Sequence, residues 1–237
     1  MNILGIDTST EACSAALLRE DGEVFSEFAV APRQHTKLLP EMIDAVLNAS
    51  GIAKKAISHC AVANGPGAFT GIRIAAATAQ GIAIALDIPL VPISTLAVLA
   101  QACLDKYAVG DSLVALDARM AEVYWAVYEK DDAGLAVLKG AEKLDKLDQV
   151  YIKQLPASGA GHGWIVGEQI WRQSFIGAQH IMIDSELLPD SIALLKLAKQ
   201  AIADGKTVLP QNVTINYLRN QVAEKSKSAA KAKSLNH

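Results

Sequence analysis

Two stretches of the 237-residue sequence bring together groups that could do chemistry, and a third echoes the first. Asp7 ends an apolar run and is followed by the hydroxyls of Thr8, Ser9 and Thr10. A carboxylate with hydroxyls behind it can orient a magnesium-bound water and phosphate oxygens at the mouth of a cleft; it can equally be a turn residue bonded to local amides. The segment Asn64-Gly65-Pro66-Gly67-Ala68-Phe69-Thr70-Gly71-Ile72-Arg73 lies between a strand-like and a helix-like run. Gly65, Gly67 and Gly71 would let backbone N–H groups approach an anion at a helix N-terminus, with Thr70 capping and Arg73 adding positive charge. The glycine spacing is neither a Walker A loop nor the dinucleotide fingerprint. A tight turn with Phe69 packed beneath it is the competing reading. Asp117 with Arg119 repeats the first pattern more weakly.

Other chemistries find little support. His35, His59, His162, His180 and His237 include no pair at helical ligand spacing, so no metal site is expected. Cys13, Cys60 and Cys103 are far apart and include no Cys-x-x-Cys, which points to packing thiols. No Gly-x-Ser-x-Gly elbow is present, and no catalytic residue is assigned.

The elements that must position these residues follow from periodicity. Asn2 to Asp7, Ala12 to Arg19 and Val24 to Val30 read as three strands, the last two joined by Asp21-Gly22. Leu38, Leu39, Met42, Ile43, Val46 and Leu47 form one helical stripe within 36–50, closed by Gly51. A strand at 58–63, the Gly-rich loop, a helix at 71–86, a strand at 89–93 and a helix at 94–104 follow. Leu113-Val114-Ala115-Leu116-Asp117 then matches Ile3-Leu4-Gly5-Ile6-Asp7 at an offset of 110, and a second strand, 122–129, follows it. Further on, a Gly-rich turn at 158–163, short strands at 165–166 and 181–183, and a helix at 191–203 are expected. Duplicated βββαβ-type units predict a two-lobed α/β fold of the actin-like, Hsp70-like (ASKHA) kind with a cleft between lobes. The lobes are drawn as 1–104 and 105–225, with 226–237 as a basic disordered tail.

Composition narrows the function classes. The chain is 51% hydrophobic, 20% charged and 5% aromatic, with 40 alanines and a mean hydropathy of +0.22. Disordered and fibrous classes are excluded. The net charge of −3 combines a body at −6 with a tail at +3, which argues against unaided binding to nucleic acid. No secretory leader is read at the N-terminus, and the 13-residue apolar run 74–86 is too short for a span of ~20. A cytoplasmic protein with no membrane role is expected. The helix at 71–86 is apolar nearly all round, so Leu39, Met42, Ile43, Val46, Ala76, Ala79 and Ala83 are candidates for a partner interface.

These residues together resemble the bacterial TsaB (YeaZ) family. The resemblance rests on Ile3 to Ser14, Gly65 to Arg73, Ile93-Ser94-Thr95-Leu96, Asp117-Ala118-Arg119 with Glu122-Val123-Tyr124, and the closing Tyr217-Leu218-Arg219-Asn220. Ala68 and Ile215 depart from the family's commoner Ser and Pro. The resemblance implies an actin-like fold and a role in forming N6-threonylcarbamoyladenosine beside the tRNA anticodon. It implies a non-catalytic subunit that dimerises with the catalytic paralogue TsaD, with TsaE as an ATPase partner and tRNA reached through the complex. It also implies that Thr95 and Leu99 stand where TsaD carries two metal-binding histidines. No cofactor of its own is expected, while a nucleotide at the cleft or partner interface and a homodimer in the free state stay open. The alternative is an independent ATP-dependent phosphotransferase of the same fold, with Asp7 as its acid.

Overall fold

The computed structural model describes residues 1–154, 156–171 and 181–219, the side chains of 168 and 169 apart. Three strands, β1 (Ile3–Asp7), β2 (Ala12–Leu18) and β3 (Val24–Val30), form an antiparallel meander. Helix α1 (His35–Ser50) follows and ends on Gly51, whose φ of 70° supplies the left-handed cap. Strand β4 (His59–Ala63), helix α2 (Phe69–Leu86) and strand β5 (Leu90–Ile93) complete a sheet of order β3-β2-β1-β4-β5, with β4 and β5 parallel to β1. After α3 (Thr95–Tyr107) come β6 (Asp111–Arg119), β7 (Glu122–Lys130), β8 (Ala136–Lys146), β9 (Ser158–Ala160), α4 (Gly163–Val166), α5 (Glu168–Trp171), β10 (Met182–Asp184) and α6 (Ser191–Ala203). The second sheet runs β10-β9-β6-β7-β8, the same order and the same parallel and antiparallel pairings as the first. The duplication read from two pentapeptides is thus a property of the whole topology, and the fold is a two-lobed, actin-like α/β fold.

Strand alternation assigns the faces. Leu4, Ile6, Cys13 and Val62 point to one side of the first sheet, where α1 and α2 cover them. Ile3, Ala16, Ala61 and Val91 point to the other, where α3 and α6 cover them. Helix α3 lies between the sheets: Val98 and Ala102 face the first, whereas Leu96, Leu99 and Cys103 pack on Val114, Leu116 and Ala126 of the second. The outer face of the second sheet is closed by Trp164 and Trp171.

Several expectations are corrected. Helix α6, drawn in the second lobe, packs on the first sheet, where Ser191 and Ser14 share a 2.9 Å hydroxyl contact. The segment 208–213 also returns to the first lobe, pairing Val208 with Leu90. Ile165 and Val166 are helical, not a strand, and 158–160 is a strand instead of a turn. Strand β8 is the third strand that the duplicated βββαβ pattern calls for, although the sequence reading gives it no range. The disordered-tail reading of 226–237 lies outside the described residues.

Helix α2 has 18 residues and a mean hydropathy of 1.4, so by length and composition it could cross a membrane; the 13-residue reading understated it. Ala75, Ala79 and Ala83 are sealed in the first lobe's core, while the rest of the helix is largely open, with 33% of its residues buried.

Candidate functional site

The two β-meanders place their β1–β2 and β6–β7 turns on opposite sides of a cleft of about 820 Å³. From the first lobe, Ser9, Glu11, Arg33, Gly67, Thr70 and Gly71 line it; from the second, Asp117, Arg119, Tyr124 and His162 do. Tyr217 and Arg219 form a further wall.

The Gly-rich loop is shaped by the turn beneath it. A Cβ on Gly67 would lie 2.3 Å from the Ser9 carbonyl oxygen, and one on Gly71 would lie 1.9 Å from that of Thr8. The Thr8 hydroxyl donates to the Gly71 carbonyl at 2.7 Å, and the Ala68 N–H donates to the Ser9 carbonyl at 2.7 Å. Gly65 takes φ of 103°, with its N–H bonded to the Thr95 hydroxyl. These glycines let two loops touch, and that contact uses much of the backbone that could have cradled an anion. Thr70 lies inside the first turn of α2 instead of capping it, and the cap position, Ala68, offers no side-chain bond. Phe69 is 53% exposed, not packed beneath the loop. Arg73 lies over the Phe69 ring at 3.2 Å from its centroid, with the Tyr217 ring at 5.3 Å, and does not line the cleft.

Asp7 is 2% exposed and does not reach the cleft. Its Oδ1 accepts the Ser9 N–H at 2.7 Å, and Oδ2 is sealed without a hydrogen-bond partner among the described residues. Burial, partly offset by the Ser9 backbone and hydroxyl, pushes its pKa up to about 6. The acid required by the phosphotransferase reading is therefore withheld from a cleft ligand, and that alternative is not favoured. Asp117 makes the equivalent turn, its Oδ1 accepting the Arg119 N–H at 2.7 Å, and does line the cleft, paired to the Arg119 guanidinium at 2.8 Å.

His162 was missed. Its Nδ1 accepts the Asp117 N–H at 2.9 Å, so the ring proton belongs on Nε2, which faces Glu11 Oε2 at 3.7 Å across the cleft. Burial holds this imidazole below its usual pKa, against the opposite pull of Glu11 and Asp117. The signal was Gly161-His162-Gly163, which follows β9 as Gly65-Pro66-Gly67 follows β4, with Gly161 also at positive φ.

The interface candidates change most. Leu39, Met42, Ile43, Val46, Ala76, Ala79 and Ala83 are all buried within the chain's own core, because α1 and α2 spend these faces on the first sheet. The open face of α2 is formed by Phe69, Thr70, Ala77, Gly81, Ile84 and Ala85. Thr95 and Leu99 are fully buried.

Comparisons with known proteins can be placed on this geometry. A family model described as TsaD, tRNA N6-adenosine threonylcarbamoyltransferase, matches residues 27–232. The TsaB protein of Escherichia coli is 39% identical over 95% of this chain and 97% of its own. The chain belongs to the TsaB family. TsaB of Haemophilus influenzae is 34% identical over 95% of this chain and 96% of its own, and TsaB of Bacillus subtilis 31% over 94% and 96%. Among solved structures, YeaZ from Pseudomonas aeruginosa superposes with a TM-score of 0.83 at 37% identity, covering 92% of this chain and 99% of that one. The TsaB relatives bear the name tRNA threonylcarbamoyladenosine biosynthesis protein.

Proposed function

We propose that this TsaB-family chain is a non-catalytic subunit of a tRNA threonylcarbamoyl transferase, dimerising with TsaD to support transfer of threonylcarbamoyl from its adenylate to N6 of the adenosine beside the anticodon. The observation that carries this reading is the outward face of α2. Ile84 is 63% exposed and stands beside Ala77, Gly81 and Ala85, a smooth apolar strip with Phe69 and Thr70 at its N-terminal end. Small residues four apart let a second helix approach closely, and apolar faces of this kind suit stable interfaces.

The cleft supports the same reading from the other side. Asp117 is paired to Arg119, the loop glycines serve packing, Asp7 is sealed away from the cleft, and Glu11 faces His162 across it at 3.7 Å. In this account the chain carries no cofactor of its own, acts in the cytoplasm, meets TsaE and tRNA through the complex, and forms a homodimer through the same face when TsaD is absent.

Co-purification with TsaD tests the face. Ile84→Glu is expected to abolish capture at unchanged circular dichroism and Tm, because it charges the open strip. Ala79→Glu, which puts a charge into the core, is expected to unfold the chain. Wild-type capture by folded Ile84→Glu would contradict the reading.

A further inference from the structure

Residues 208–219 leave the first lobe and end on the second. Val208 pairs with Leu90, and the Pro210 carbonyl accepts from Gln80 of α2 at 2.9 Å. Asn216 then divides between lobes: its N–H donates to the Asn64 carbonyl at 2.8 Å, and its amide donates to Glu142 of β8 at 2.8 Å. The same Glu142 accepts from Tyr128 at 2.7 Å and from Ser94, the N-cap of α3. Three residues later, Arg219 donates to the Ala118 carbonyl at 2.9 Å and to Met120 Sδ at 3.6 Å, and pairs with Glu122.

The place where Arg219 lands is conformationally unusual. Arg119, Met120 and Ala121 have φ of 66°, 58° and 58°, three consecutive non-glycine residues in the left-handed region. Side chains rarely adopt this conformation because Cβ crowds the following carbonyl, so it persists only where surrounding contacts fix it. Arg219 grips both ends and the middle of this turn, through Ala118, Glu122 and Met120. The turn and the strap also border the same cleft.

We propose that residues 213–219 are an inter-lobe clasp: Arg219 holds the strained β6–β7 turn and, through the strap, sets the opening of the cleft. When Arg219 is engaged the left-handed turn is held and the lobes keep one separation. When it is released the turn relaxes, and among the described residues the Asn216–Glu142 bond remains to couple the strap to the second lobe.

Distances between spin labels on the full-length chain test this. The three native cysteines are buried, so cysteines introduced at the exposed positions Glu41 of α1, away from the α2 strip, and Lys139 of β8 label selectively. Wild type is expected to give one narrow distance distribution. Arg219→Ala is expected to broaden it and shift it to longer distance, and Arg219→Lys, which keeps the charge but loses the planar fork, to fall between. An Arg219→Ala distribution identical to wild type would overturn the proposal. Should Arg219→Ala fail to fold, Asn216→Ala takes its place: broadening supports the clasp, and an unchanged distribution overturns it.

Discussion

Asp7 and Asp117 hold the same position in the two halves of the chain, make the same 2.7 Å bond to the second amide after them, and end in opposite environments. Asp117 is paired and borders the cleft, whereas Asp7 is closed over by the loop that Gly67 and Gly71 lay on Thr8 and Ser9. The energetic consequence has a definite sign. A carboxyl whose pKa rises from 3.8 unfolded to about 6 folded contributes stability that is fully present below the unfolded value and is lost as pH rises through 6. At pH 8 that amounts to a cost on the order of 3 kcal/mol. Asp7→Asn keeps the acceptor for the Ser9 amide and removes the ionisation. Thermal melts are therefore expected to show a higher Tm than wild type at pH 8 and no gain at pH 4. A difference independent of pH would show that the carboxyl is not the cause. Both acids were visible in the sequence, since each ends an apolar strand. Which one would be sealed was not, because the seal comes from a loop sixty residues away.

Helix α2 shows the same division at the level of an element. Its existence, length and apolar character could be read from composition, but its facing could not: a helix rich in alanine on every side carries no stripe to mark the core. The buried Ala76, Ala79 and Ala83 and the open Ala77, Gly81 and Ala85 are nearly indistinguishable as residue types, which is why the sequence does not tell the core-facing side from the open one. Two glycines of this helix make the distinction measurable. Gly71→Ala forces a methyl against the Thr8 carbonyl and is expected to destabilise by at least ~3 kcal/mol. Gly81 meets nothing within 4 Å, so Gly81→Ala is expected to stabilise by up to ~1 kcal/mol through helix propensity. Denaturant titration of both variants checks the pair, and similar effects at the two positions would contradict the assigned facing. The bounds of strand β8 are not legible in the sequence for a related reason. It is an edge strand, exposed along most of its length, and its sequence, with Lys139, Glu142, Lys143, Asp145 and Lys146 and with Gly140 at φ of 95°, lacks an apolar alternation.

For the whole molecule, the repeat visible between residues 3–7 and 113–117 extends to two sheets with one strand order, so the two-lobed architecture was legible early. The return of α6 to the first sheet was not, because nothing local to residues 191–203 says which of two equivalent apolar sheet faces will receive them. The result is a body in which the chain's last described segments return to the first lobe, and a cleft in which Asp117 is paired, the loop glycines are used for packing and Asp7 is kept out of reach. The proposed function rests on the exposed apolar strip of α2. The central claim is that this surface serves a catalytic partner. Reconstituted transfer onto unmodified tRNA, followed by nucleoside analysis for threonylcarbamoyladenosine, tests it most directly. The account predicts no product from this chain alone and at least a tenfold faster formation by TsaD when the chain is added; product made without TsaD, or a TsaD rate indifferent to the chain, would contradict it.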